Sequence, residues 1–100
     1  MTLLELIKKV KEHNLDKTQL EDYHSQISSL YAQMMIEMAE LEKEEALFMG
    51  KNFEERLSVA DRKIMWKVTD KGQRLIVLKR YQLACKELLN SLKSRIYTLI

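Results

Sequence analysis

The sequence predicts an all-α chain, a short N-terminal helix followed by a long antiparallel, coiled-coil-like helical hairpin that assembles into a bundle oligomer. Three observations predict it. The 100 residues hold no proline and two glycines, and 46% apolar with 32% charged residues suits long amphipathic helices. Apolar residues recur every seven positions on grids in both halves of the chain. Capping signatures stand where helices would begin.

The first helix is expected over 3–13. "TLLE" offers Thr2 as N-cap with Glu5 at the third helical position, Leu3, Leu4, Leu6, Ile7 and Val10 supply the apolar face, and Asn14 is a stop. A second start follows in "DKTQ", where Asp16 caps and Gln19 reaches back, and the helix is expected over 17–49 with Gly50 as terminator. Leu20, Ile27, Met34, Leu41 and Phe48 form its seven-residue grid, with Tyr23, Leu30 or Tyr31, and Met38 between. "KNFEERL" breaks the pattern, giving a loop over 50–57, and Ser58 with Asp61 in "SVAD" restarts it. Val68, Leu75, Leu89 and Ile96 lie on one grid and Ile64, Leu78, Cys85, Leu92 and Leu99 on its companion. Because the phase survives "TDKG", residues 58–98 are expected to be essentially one helix, any bend falling at 70–72. Gln82 is the polar break in this seam.

Two long helices joined by a loop of about eight residues fold back on each other. With the loop centred near 54, residue i faces roughly residue 108 minus i, so the apolar run Met34, Met35, Ile36 lies across from the region leading into "LIVL", 75–78. Successive helical residues point about 100° apart, so both runs carry apolar side chains beyond one seam. The expected oligomer interface is therefore a mid-hairpin belt of Met34, Met35, Ile36 and Met38 with Leu75, Ile76, Val77 and Leu78, covered by a second copy in a homodimer or higher oligomer.

The net charge of +2 conceals a division: residues 1–61 carry 7 Lys/Arg against 13 Asp/Glu, and residues 62–100 carry 10 against 2. Glu40, Glu42, Glu44 and Glu45 crowd a helix C-terminus while Arg62, Lys63 and Lys67 crowd an N-terminus, each against the helix dipole. Folding the hairpin brings the two sets together, which favours the antiparallel register. The alternative reading of the basic half is nucleic-acid contact through Trp66, Lys67, Lys71, Arg74, Lys79 and Arg80, the basic run continuing through Lys86, Lys93 and Arg95, with Tyr81 and Tyr97 available for stacking. The acidic arm close by opposes that alternative, and no zinc module or helix-turn-helix is recognisable.

Catalytic chemistry has no pattern to rest on. His13 and His24 are eleven positions apart in different predicted elements without a metal-binding spacing, Cys85 falls on the apolar grid, and "TDKG" lacks the glycines of a phosphate loop. No cofactor, metal or small-molecule substrate is expected, and the chain reads as a non-enzyme. A single cysteine excludes an intrachain disulfide. Apolar runs far short of the roughly 20 residues of a membrane span, and charges at Glu5, Lys8 and Lys9, predict a soluble cytoplasmic protein.

"SVADRK" at 58–63, preceded by "AELEKEEA" at 39–46 and followed by "LKRYQLACKELLNSLKSRI" at 78–96, resembles small helical-hairpin proteins encoded by tailed bacteriophages, often among early or recombination genes. The resemblance spans about residues 35–98 and transfers no site residues. It implies work in the host cytoplasm by contact with a host or phage protein, as a host-factor or defence-system modulator or a recombination accessory.

Overall fold

A computed structural model describes residues 2–12, 14–51 and 57–98. Its elements are α1 (Leu3–Val10), α2 (Lys17–Met49), α3 (Val59–Lys67) and α4 (Asp70–Thr98), in a rod of 62 × 21 × 18 Å. The all-α hairpin is present: α2 and α4 pack along their length. His13, the loop positions 52–56 and the seam residue Leu99 lie outside the described residues.

Local chemistry sets the starts. The Thr2 hydroxyl accepts from the Glu5 amide at 3.3 Å. Asp16 and Gln19 form the reciprocal box, the Gln19 amide donating to Asp16 Oδ1 at 2.7 Å and the Asp16 amide to Gln19 Oε1 at 3.0 Å. Ser58 and Asp61 form another before α3. The first helix is shorter than expected and ends at Val10, where Arg95 of α4 donates to the carbonyls of Val10 (2.5 Å) and Glu12 (3.1 Å). Those bonds satisfy acceptors that a further turn of helix would have occupied. Gly50 closes α2 with a right-handed backbone, φ −84°, so the stop there uses no left-handed residue.

The expected single helix over 58–98 is two helices. Val68 closes α3 and Thr69 caps α4: the Thr69 hydroxyl accepts from the Gly72 amide at 3.0 Å and donates to the Trp66 carbonyl at 2.6 Å, while the Gln73 side-chain amide donates to the Lys67 carbonyl. One short junction thus satisfies the end of one helix and the start of the next. Its closeness needs a glycine, since a Cβ on Gly72 would lie 2.0 Å from the Trp66 carbonyl oxygen. The seven-residue grid ahead of this corner is coincidental. Ile64 and Val68 are exposed, whereas Trp66, which the grid puts at the flank, is buried.

The corner also shifts the pairing. Residues 58–68 leave the second arm, which begins at Asp70, so Glu37 pairs with Arg74 rather than lying across from Lys71. Glu44 likewise pairs with Lys71, so the displacement lies between about one and two helical turns.

Burial falls into two clusters. Leu6 and Val10 of α1 meet Leu20, Tyr23 and Ile27 of α2 and Cys85 and Leu92 of α4 at one end. Met38 and Leu41 of α2, Trp66 of α3, and Leu75 and Leu78 of α4 form the other, where the Trp66 and Phe48 rings are 5.6 Å apart. Each end is thus a three-helix bundle made by a short helix added to the same hairpin. Met34 packs against both clusters and joins them.

Candidate interaction surface

The expected belt divides once the chain folds. Met38, Leu75 and Leu78 are buried in the chain's own core, so these three are not free to form an intermolecular interface as expected, and half-buried Met34 packs against both clusters. Met35, Ile36 and Val77 are exposed and Ile76 is half-buried. Helical geometry sends them in different directions, with Ile36 about opposite the seam on α2 and Val77 and Ile76 to either side of Leu75 and Leu78 on α4. The residual surface is therefore not one ring.

Two flanks border the α2–α4 seam, and they differ. On the first, a groove is lined by Leu30, Gln33 and Met34 of α2, Leu78 and Tyr81 of α4, and Leu3 of α1. Further along, Ile7 of α1 meets a groove with Ala84 and Leu88 of α4. This is where α1 lies. Basic residues along this side are engaged within the chain: Arg74 makes a two-bond pair with Glu37 (3.2 and 3.0 Å) and Arg95 caps α1. Lys71 also bridges the arms, to Glu44 at 2.7 Å.

Positions 79, 86 and 93 stand on the opposite side of the α4 seam from 74, 81, 88 and 95, as flanking positions of a heptad do. The second flank accordingly carries Lys79, Lys86 and Lys93, all exposed. Across the seam it carries residues of α2 that share the side of His24, which lines a depression with Lys93, Ile96 and Tyr97. Tyr31 and Met35, seven and eleven positions after His24, fall on that same side. No described helix covers the middle of this flank. At its upper end Gly72, seven before Lys79, lies beneath the last turn of α3.

The residues proposed for nucleic-acid contact do not act together in the fold. Trp66 is interior and cannot stack on a base, Lys71 and Arg74 face internal carboxylates, and Lys67, Lys79 and Arg80 remain exposed. The charge pairing expected at the tip is made by different partners. Glu44 meets Lys71, and Arg62 donates to the Met49 carbonyl at 3.1 Å, at the negative end of the α2 dipole. Sequence reasoning missed the lysine stripe as a unit, although its seven-residue spacing was visible; what was hidden was which flank α1 would occupy.

Among the described residues no three histidine, cysteine, aspartate or glutamate side chains converge as a metal-binding set. Cys85 is fully buried, and burial raises its thiol above the ordinary range, so the nucleophilic thiolate is disfavoured. No described helix is long and apolar enough to cross a membrane. The fold and surface define the class, an all-α helical hairpin buttressed at each end by a short helix. No known family model, curated protein or solved structure matches the chain.

Proposed function

We propose that this chain is a non-enzymatic interaction protein that works by presenting the open flank of its hairpin to another helical surface. The observation that carries the reading is the asymmetry of the two flanks: α1 lies along part of one side, where Leu3 and Ile7 border the grooves that remain, while the middle of the other, with Tyr31 and exposed Met35 beside the lysine stripe, has no covering element among the described residues. A two-helix layer buries little apolar surface for its length, and exposed apolar flanks of such layers are closed by further helices.

Self-association is one way to close it, with Met35 and Ile76 nearest the centre of contact. Light scattering of the wild type at increasing concentration tests this: a dimer mass that falls to the monomer's in Met35→Glu supports closure by a second copy, and a monomeric wild type refutes it. The resemblance to tailed-phage hairpin proteins supports a cytoplasmic accessory role toward a host or phage protein, such as modulating a host factor or defence system or assisting recombination. Direct nucleic-acid binding is the weaker reading, because Trp66 is interior and Lys71 and Arg74 pair with carboxylates of α2, although Tyr81 and Tyr97 stay exposed.

A further inference from the structure

The lysine stripe lies opposite a neutral wall. Along α2, residues 23–36 contain no aspartate, glutamate, lysine or arginine, and this stretch runs antiparallel to the part of α4 that bears Lys79, Lys86 and Lys93. The cross-arm contacts fix the correspondence: Glu37 pairs with Arg74 at one end, and His24 borders Lys93 and Ile96 at the other. Within this span the three lysines form no ion pair among the described residues, unlike Lys71, which has Glu44, and Arg74, which has Glu37. The Lys93 ammonium stands 6.0 Å from the Tyr97 ring centre, its nearest described electrostatic partner. The open flank thus carries half-buried Tyr31, Leu89 and Ile96 along the seam, a depression at its Lys93 end, and along one edge three lysines with no ion pair among the described residues.

We infer that this flank receives an acidic amphipathic α-helix of another protein, which completes a bundle by lying where α1 lies on the other side. Four considerations select that occupant. The flank that α1 covers shows what fits the hairpin's groove, a single helix whose Leu3, Leu6 and Val10 face inward while Leu4 stays exposed. The lysines recur at intervals of about 10.5 Å over two heptads, matching carboxylates every seventh residue on a helix of roughly 15–20 residues. A second copy suits the open flank poorly: stacking two flanks about a two-fold axis that reverses the helices, centred near residue 33, sets Lys79 of one copy close to Lys86 of the other. Nucleic acid would meet cations along one edge only, beside an apolar seam. The inference rests on the interaction reading above and adds the chemistry of the partner.

The test uses the full chain and three fluorescein-labelled synthetic 21-residue amphipathic helices. All carry leucine at seam positions, and their flanking positions are glutamate, glutamine or lysine. A labelled 20-nucleotide oligothymidine is the fourth probe. Fluorescence anisotropy at physiological salt is expected to show the glutamate helix binding about tenfold more tightly than the glutamine helix, as three exposed ion pairs together give. The lysine helix is expected to be weakest. In the variant K79E/K86E/K93E that order should reverse, whereas K43E/K63E/K67E, with the same change in net charge elsewhere on the surface, should retain it.

Equal binding of the three helices, or equal effects of the two triple variants, overturns the acidic partner; if Met35→Glu then weakens all three helices, the open flank survives as the contact site. Preferential binding of oligothymidine that K79E/K86E/K93E abolishes overturns it in favour of nucleic acid. Absence of binding by any helix also overturns it. If the wild type still forms a dimer that Met35→Glu dissociates, the interaction reading stands with a second copy as occupant; if it is monomeric, both readings fail.

Discussion

Replacing Gly72 by alanine distinguishes the bent junction from a continuous helix, because the two predict opposite signs. Were 58–98 one helix with Gly72 on an open face, alanine would stabilise it by up to about 1 kcal/mol through helix propensity. In the folded chain the new Cβ meets the Trp66 carbonyl oxygen at 2.0 Å and its carbon at 2.8 Å, and both atoms belong to backbone. A carbon–oxygen contact relaxes only beyond about 3.3 Å, so the end of α3 must move by more than 1 Å. That carbonyl also accepts the Thr69 hydroxyl at 2.6 Å and the Thr69 amide at 3.0 Å, so moving it strains the cap of α4. Overpacking of this kind costs about 1–3 kcal/mol, and disturbing a hydrogen bond adds about 1. Less the propensity gain, the net loss is about 2 kcal/mol. For a domain of this size it lowers Tm by about 8–16 °C. Thermal unfolding followed by circular dichroism, with Trp66 fluorescence as a second probe, measures it. A Tm equal to or above the wild type's, with unchanged tryptophan emission, would refute the corner and restore the single helix.

Trp66→Ala should cost about 3–5 kcal/mol by removing the largest side chain of the tip cluster, read as a lower urea midpoint. Arg95→Ala should accelerate hydrogen exchange across α1 with about 1–2 kcal/mol of lost stability, because the Val10 and Glu12 carbonyls lose their charged donor. Arg74→Ala should cost less than about 1 kcal/mol, since its pair with Glu37 is solvent-exposed, and a loss above 2 in chemical denaturation would contradict that placement. Cys85 should resist thiol reagents at pH 8 until urea unfolds the chain. Because burial raises its pKa in the folded state, its contribution is complete below the ordinary thiol range of about 8.5 and fades as pH rises through the folded-state value. The urea midpoint of the wild type should therefore fall more steeply than that of Cys85→Ala in alkaline buffer.

The elements that depend on neighbours along the chain were legible in the residues. Asp16 with Gln19, and Ser58 with Asp61, start helices by bonds spanning three positions, and no distant group is needed to form them. The seven-residue recurrence of Leu20, Ile27 and Leu41 likewise marks a buried face, because one side of a helix must leave water whatever covers it. "TDKG" carried its signal too: Thr69 three before Gly72 is an N-cap pattern, outweighed by the apparent phase of Ile64 and Val68.

The sequence by itself determined an all-α hairpin, its long first arm and the division of charge between its halves. Tertiary structure alone decided that α3 bends over the tip, that Trp66 is interior and that the pairing slips by about one to two turns. It also decided that α1 covers one flank and leaves the lysine stripe on the other. The reason is the range of the forces involved: capping bonds and amphipathic faces are written within a few residues, while the choice of flank depends on how separated helices fill one another's grooves, and periodicity alone does not distinguish the two sides of a seam.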